Sequence, residues 1–337
     1  MASTRCSTGN SDLRIGTSGW NYPSGEGTWN GIFYPPSRRR QKGFDELAFY
    51  AEHFNTVEVN STFYGQPRAS VTRAWAERTP KTFEFSVKLY QKFTHPRMFT
   101  ARLASELPDD APHEPALLNA LAQPNEADLD AFRRGIEPLA STGRLGALLA
   151  QFPASFKDGP TSRDYLGGLL KALAGYPVAV ELRHKTWSDQ ISETRALLNS
   201  FGAAWVQIDE PKSRFSIRQN YLPNVKGFYY MRLHGRNAAQ WWAHEKSEDR
   251  YNYLYSADEL KEFTGTAVAA KQLVKKLYLY TNNHFSAKSV ANAAMIKQQL
   301  GEPVTGEYPP AFIDRYPELA GIVTPAVPSL LHVRLPN

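Results

Sequence analysis

With 337 residues, 42% of them hydrophobic, the chain is long enough for one large α/β domain and does not require two. A formal charge of +6 permits anionic partners, but the lysines and arginines are spread out and the densest run, Arg38-Arg39-Arg40-Gln41-Lys42, is short, which disfavours specific nucleic-acid binding. The single cysteine, Cys6, excludes an internal disulfide framework or thiolate metal cluster. No apolar run reaches the ~20 residues that cross a bilayer and MASTRCSTGNSD lacks the apolar stretch of a secretory signal, so no membrane contact and cytoplasmic residence are expected.

Residues 1–11 read as a disordered lead, and strand and helix signals alternate from residue 12. Eight short apolar strands are predicted: LRIGTSGW (13–20), TVEVNSTFY (56–64), FEFSVK (83–88), LGALLAQF (145–152), PVAVELRHKTW (177–187), AAWVQID (203–209), FYYMRLHG (228–235) and LYLYTNN (277–283). Helical spacing is found over 44–54, 68–78, 126–142, 161–174, 188–201, 257–275 and 286–300, with Ser256 as a possible N-cap and Gly301 as a stop. Strands separated by helices favour a parallel sheet, and eight of them can close into a single (β/α)8 TIM barrel over 12–302. Three segments exceed the minimal pattern. Residues 100–125, after the third strand, are rich in Pro, Asp and Glu and read as a surface insertion. Residues 235–256, after the seventh, carry Trp241, Trp242, Tyr251, Tyr253 and Tyr255 and read as an ordered aromatic cap. The Pro-rich extension 303–337 reads as a tail that wraps the barrel or is partly loose. Residues 210–226, with two prolines and no helical stripe, predict an irregular connection.

The strand ends carry the functional signal. Residues two apart share a face of a strand, so Glu58 pairs with Asn60, Ser86 with Lys88, Glu181 with Arg183, Gln207 with Asp209, and Arg232 with His234. Ser18 and then Trp20 end the first strand, Gln151 closes the fourth and Asn283 the eighth. Glu58 and Glu181 sit among valines and leucines, and an ionised group pressed into a helical layer is costly. The polar face is therefore expected at the open C-terminal end of the strands, where active sites of such barrels lie.

The cluster contains three carboxylates (Glu58, Glu181, Asp209), three fixed cations (Lys88, Arg183, Arg232) and His234, which can take either state. Such a set is close to neutral without a metal. Glu58, Glu181, Asp209 and His234 can in principle ligate a metal from four strands, but the cationic neighbours disfavour it, and no HExxH or Cys set is present. No metal site and no cofactor is assigned. Converging guanidinium and ammonium groups suit a phosphate or carboxylate, with Glu58, Glu181, Asp209 and His234 as candidate acid–base groups. Candidate ligand-binding residues are Trp20, Asn60, Tyr64, Lys88, Gln151, Arg183, Trp187, Arg232 and Asn283. The rings of Trp20, Tyr22, Tyr64, Trp187, Trp241 and Trp242 are expected as pocket walls, His95 as a possible rim group, and Asn282 and His284 as ligand donors or helix caps.

RIGTSGWNY (14–22), FNTVEVNSTFY (54–64), FEFSVK (83–88) with FTH (93–95), LGALLAQFP (145–153), VAVELRHKTW (178–187), YMRLHGR (230–236), RYNYLYSADEL (250–260) and YLYTNNHFSAKSVANA (278–293) resemble the DUF72 (YecE-like) family. The resemblance spans roughly 13–301 and is weakest at 100–125 and in the Pro-rich C-terminus. It implies a TIM barrel with a polar cleft at the C-terminal ends of the strands, and no established activity. The resulting expectation is a protein that binds a small anionic or sugar-containing ligand, with hydrolase or isomerase chemistry of the acid–base kind. A metal-dependent phosphodiesterase or nuclease is the first alternative, and a non-catalytic ligand- or protein-binding module the second. The oligomeric state is left open.

Overall fold

A computed structural model describes residues 11–40, 42–108, 114–219, 227–241 and 248–327; residues 1–10 of the expected lead and Trp242 lie outside these residues. Nine strands run parallel in two sheets. They are β1 (Asp12–Thr17), β2 (Thr56–Val59), β3 (Glu84–Lys88), β4 (Leu145–Gln151), β5 (Val178–Glu181), β6 (Ala204–Trp205), β7 (Gln207–Asp209), β8 (Tyr229–Leu233) and β9 (Lys276–Thr281). The sheet orders are β1-β9-β8-β7 and β2-β3-β4-β5-β6. The sequence-predicted strand 203–209 is thus split at Val206, with β6 paired to β5 and β7 to β8. At the opposite seam Ser18 bridges Glu58 in parallel, and Gly19 N–H donates to the Glu58 carbonyl at 2.7 Å. Gly16 explains how β1 comes so close to β2, because a Cβ there would lie 2.2 Å from the Thr56 carbonyl oxygen.

Helices cover the strands: Glu46–His53, Ala69–Glu77, Glu126–Ser141, Pro160–Ala172, Ile191–Ser200, Ala257–Lys271 and Lys288–Gln299. Two start with capping boxes, Asn125 with Asp128 and Ser256 with Glu259, in which each side chain satisfies a backbone N–H that the first turn leaves unpaired. The 100–125 segment includes the end of a Pro96–Glu106 helix and a second helix, Pro115–Leu121. The C-terminal extension pairs Glu307–Tyr308 with Thr324–Pro325 and buries Tyr308, Phe312, Tyr316 and Leu319 in the core. Among the described residues no helix is long and apolar enough to cross a membrane.

On the face that Glu58 and Arg232 share, side chains of β2, β3, β8 and β9 form polar layers. Near the N-terminal ends Glu84 accepts from Lys276 and Tyr278 at 2.7 Å each. One layer up, the Tyr280 hydroxyl lies 2.9 Å from Ser86 Oγ and 2.7 Å from Thr56 Oγ1. Each polar group meets a partner, which is the condition for placing it in a packed interior. The next layer is ionic and forms the floor of a cleft.

Candidate functional site

That floor is built on Arg232. Its Nε donates to Glu58 Oε2 at 2.9 Å and its Nη2 to Glu58 Oε1 at 2.7 Å, while Nη1 donates to Glu181 Oε2 at 2.5 Å. Ser18 Oγ and the Tyr230 hydroxyl, both at 2.7 Å, complete the shell of Glu58. Both carboxylates are fully buried and Arg232 is 1% exposed. Burial works against ionisation of Glu181, but Arg232 and Arg183 outweigh it and hold the carboxyl well below its ordinary range. Glu58 and Glu181, expected as acid–base groups, therefore lie beneath the cleft and do not line it.

Above the floor opens a cleft of about 900 Å³ at the C-terminal ends of the strands. Asn60, Lys88, Gln151, Arg183 and Arg232 line it, each placed by the interior parity of its strand. Arg183 Nε donates to Glu181 Oε1 at 2.7 Å, leaving the Nη1 edge toward the cleft, 3.4 Å from Glu210 Oε2. That last distance is an ion-pair distance without hydrogen-bond geometry: Glu210 Oε2 and Asn60 Oδ1 are both buried acceptors with no hydrogen-bond partner among the described residues. Burial raises the Glu210 carboxyl, with Glu181 and Asp209 adding to the shift and Arg183 opposing it. Lys88 Nζ stands 4.1 Å from the centre of the Phe63 ring. Burial, then the charge of Arg232, pushes the Lys88 amine down to about 7.

His234 and His95 are neutral near pH 7. Burial and the adjacent Arg232 push His234 to about 3; its Nδ1 lies 2.8 Å from Asn282 Nδ2, and its Nε2 lies 3.6 Å from Glu181 Oε1. His95 falls to about 3 through burial and the nearby Lys88. It stands edge-on to Phe63, 5.0 Å between ring centres. Tyr64, Phe215, Trp241 and Tyr251 supply further ring surface, Tyr64 as a 65% exposed rim residue.

Four expected positions are corrected. Asp209 registers beside Leu233 and Ile208 beside Arg232, so Ile208 faces the interior and Asp209 faces the helices. There Asp209 accepts from Arg236 Nε at 2.8 Å and Nη2 at 3.0 Å, and from the Tyr255 hydroxyl at 2.7 Å. Asn283 likewise turns away from the interior and donates to the Tyr253 carbonyl and to Asn292 Oδ1, at 2.7 Å each. Trp187 is fully buried, stacked on Phe156 and bonded to its carbonyl at 2.8 Å, so it is core and not wall. Trp20 packs edge-on against Trp75, 5.6 Å between centres, and does not line the cleft. The residues that take these places are Glu210, one position past the end of β7, and Asn282, in step with Tyr278 and Tyr280. Counting parity from Ala204 and Val206, or from the two tyrosines, was the signal that could have found them. Phe63, Phe215 and Ser216 in the cleft carried no such signal.

Glu58, Asp209 and His234 do not converge, since Asp209 points to the other side of its sheet. Among the described residues no group of three His, Cys, Asp or Glu side chains is gathered as a metal ion would require.

A family model described as "Protein of unknown function DUF72" matches residues 14–312. The chain is 27% identical to the UPF0759 protein YunF of Bacillus subtilis (strain 168), over 88% of this chain and 98% of that protein. It is 30% identical to the UPF0759 protein YecE of Escherichia coli (strain K12), over 46% of this chain and 47% of that one. Among solved structures, a DUF72 family protein from Thermotoga maritima MSB8 superposes with a TM-score of 0.68 at 30% identity, covering 86% of this chain and 100% of the other. A DUF72 family protein from Enterococcus faecalis V583 gives 0.68 at 21% identity, over 88% and 98%, a likeness of fold alone.

Proposed function

The chain belongs to the DUF72 family, whose description names no activity, and from its own cleft we propose that it binds a small hydroxylated organic anion and performs acid–base chemistry on it. The observation that carries this reading is the pairing of unlike groups in one cleft. Arg183 presents a guanidinium edge, while Glu210 Oε2 and Asn60 Oδ1 are acceptors without hydrogen-bond partners among the described residues. A phosphate or carboxylate is matched by the guanidinium, and ligand hydroxyls can donate to the two acceptors, which are costly to leave unpaired. The rings of Phe63, Tyr64 and Tyr251 offer flat surface for a sugar-like skeleton. Lys88, near 7, is the titratable group suited to moving a proton close to neutral pH, and the Glu210 carboxyl, raised by burial, is a second acid–base candidate. The reading takes the two sheets as halves of one (β/α)8 barrel, supported by the Ser18–Glu58 bridge at one seam and the β6–β7 strand at the other.

Calorimetry with ribose 5-phosphate, ribonate and their uncharged parent ribose tests it. The anionic polyols are expected to bind and ribose not to, with Arg183→Gln weakening binding by about 10- to 100-fold, the worth of a charge-assisted contact. Equal binding of ribose, or an unchanged affinity in a folded Arg183→Gln protein, contradicts the reading.

A further inference from the structure

Lys88 differs from the other lysines drawn into the fold. Lys92 pairs with Asp128 at 2.7 Å, Lys276 with Glu84 at 2.7 Å, and Lys297 donates to the His53 carbonyl at 2.8 Å. Lys88 Nζ has the face of Phe63 at 4.1 Å and no hydrogen-bond or ion-pair partner among the described residues. The carboxylates that could have served it are engaged: Glu58 and Glu181 by Arg232, Glu181 also by Arg183, and Glu210 lies against Arg183. The amine thus projects from a strand end into a 900 Å³ cleft; the Phe63 face favours the ammonium ion, but desolvation and the neighbouring arginines outweigh it and favour the neutral nucleophile. His95, on the same Phe63 ring, is a neutral imidazole placed beside it.

We propose that Lys88 is a covalent site, its amine condensing with the carbonyl group of an aldehyde or keto acid held in the cleft to form an imine. The inference rests on the organic-anion reading of the cleft and narrows its ligand class to carbonyl compounds. The amine lone pair forms a C–N bond to the carbonyl carbon, and the C=O π pair moves onto oxygen. The nitrogen gives up one proton and the oxygen takes one, a transfer that solvent in the open cleft can relay. The resulting carbinolamine then breaks its C–O bond, water leaves with a second proton, and Glu210 is the carboxyl group in the cleft wall that can supply it. The balance is amine plus carbonyl plus one proton to protonated imine plus water, with no oxidant or reductant. The ligand's own anionic group, on Arg183, offsets the charge of the iminium beside Arg232.

Reductive trapping tests this. The wild-type chain is incubated with pyruvate or glycolaldehyde phosphate and sodium cyanoborohydride, digested and mapped by mass spectrometry. The expected adduct is on Lys88, saturable with probe, and formed at least about tenfold faster near pH 7 than on exposed Lys261, because an ordinary lysine is almost wholly protonated there. Its yield rises with a midpoint near 7, set by burial with Arg232 and Arg183 and opposed by Glu181 and Glu58. Lys88→Arg, with its melting temperature checked, loses the adduct; if that variant does not fold, the wild-type peptide map decides alone. A Lys88 peptide modified no faster than Lys261, while pyruvate still binds by calorimetry, overturns the imine and leaves the anion site standing. Absence of both adduct and binding removes both readings.

Discussion

Arg232 grips Glu58 through two parallel hydrogen bonds, 2.9 and 2.7 Å long, in an ion pair with both side chains withdrawn from solvent. The third guanidinium nitrogen holds Glu181, so one cation serves two buried carboxylates. Removing it leaves Glu58 without a cation and Glu181 with Arg183 alone. Arg232→Met is expected to cost about 3–5 kcal/mol, the usual penalty for breaking a buried pair and leaving the other charge unpaired. Urea denaturation of the variant measures it; a loss under about 1 kcal/mol would show that the floor is not the ionic keystone described here.

The buried histidines give stability a pH dependence. A free histidine takes up its proton near 6.5, whereas folded His234 resists protonation until about 3. Below 6.5 the unfolded chain therefore binds a proton that the folded chain does not, and stability falls with pH down to about 3. His234→Gln removes that contribution, so its stability declines less steeply than the wild type's between pH 6.5 and 5, by a difference that grows to about 1.4 kcal/mol per pH unit at the acid end. Parallel curves would mean that His234 titrates normally.

Asp209 and Glu210 are neighbours with opposite duties. Asp209→Asn weakens the contacts to Arg236 and Tyr255 and is expected to cost about 1–3 kcal/mol of stability, with no effect on ribose 5-phosphate affinity. Glu210→Gln is expected to leave stability nearly unchanged and to weaken that affinity by about 3- to 10-fold, since ligand hydroxyls lose an acceptor carboxylate. Melting curves and calorimetry on the same two proteins separate them, and exchanged phenotypes would invert the assignment of faces.

How much of this was legible beforehand depends on strand parity. Glu58, Glu181 and Arg232 could be placed because each lies in an unbroken run whose alternation is visible, and the register puts Gln151 beside Glu181 as the strand ends suggested. Asp209 could not, because the chain passes from one sheet to the other at Val206 and the polar pair Gln207/Asp209 imitates an interior face. Asn282 and Asn283 are chemically identical, and only their step from Tyr280 tells them apart. Trp187 looked like pocket wall because aromatics at strand ends often are, whereas its indole N–H is spent on the Phe156 carbonyl. The helices of the C-terminal extension had no periodic signal, since Tyr308, Phe312 and Tyr316 are held by tertiary packing.

The β1–β2 seam offers a test of the architecture. A methyl group at residue 16 would meet the Thr56 backbone oxygen at 2.2 Å, and a backbone atom cannot swing aside as a flexible side chain does. Gly16→Ala is expected to lose about 1–3 kcal/mol or more through overpacking, read by thermal or urea melting. A neutral effect would show that the strands do not approach there.

The central claim is that the cleft above Arg232 recognises an anion through Arg183. A crystal soaked in tungstate, a heavy tetrahedral stand-in for phosphate, tests it most directly by anomalous scattering. The account predicts a peak within hydrogen-bond reach of Arg183 Nη1, lost in Arg183→Gln crystals. A peak confined to the basic surface around Lys212, Arg214 and Arg218, with the cleft empty at saturating tungstate, would contradict it.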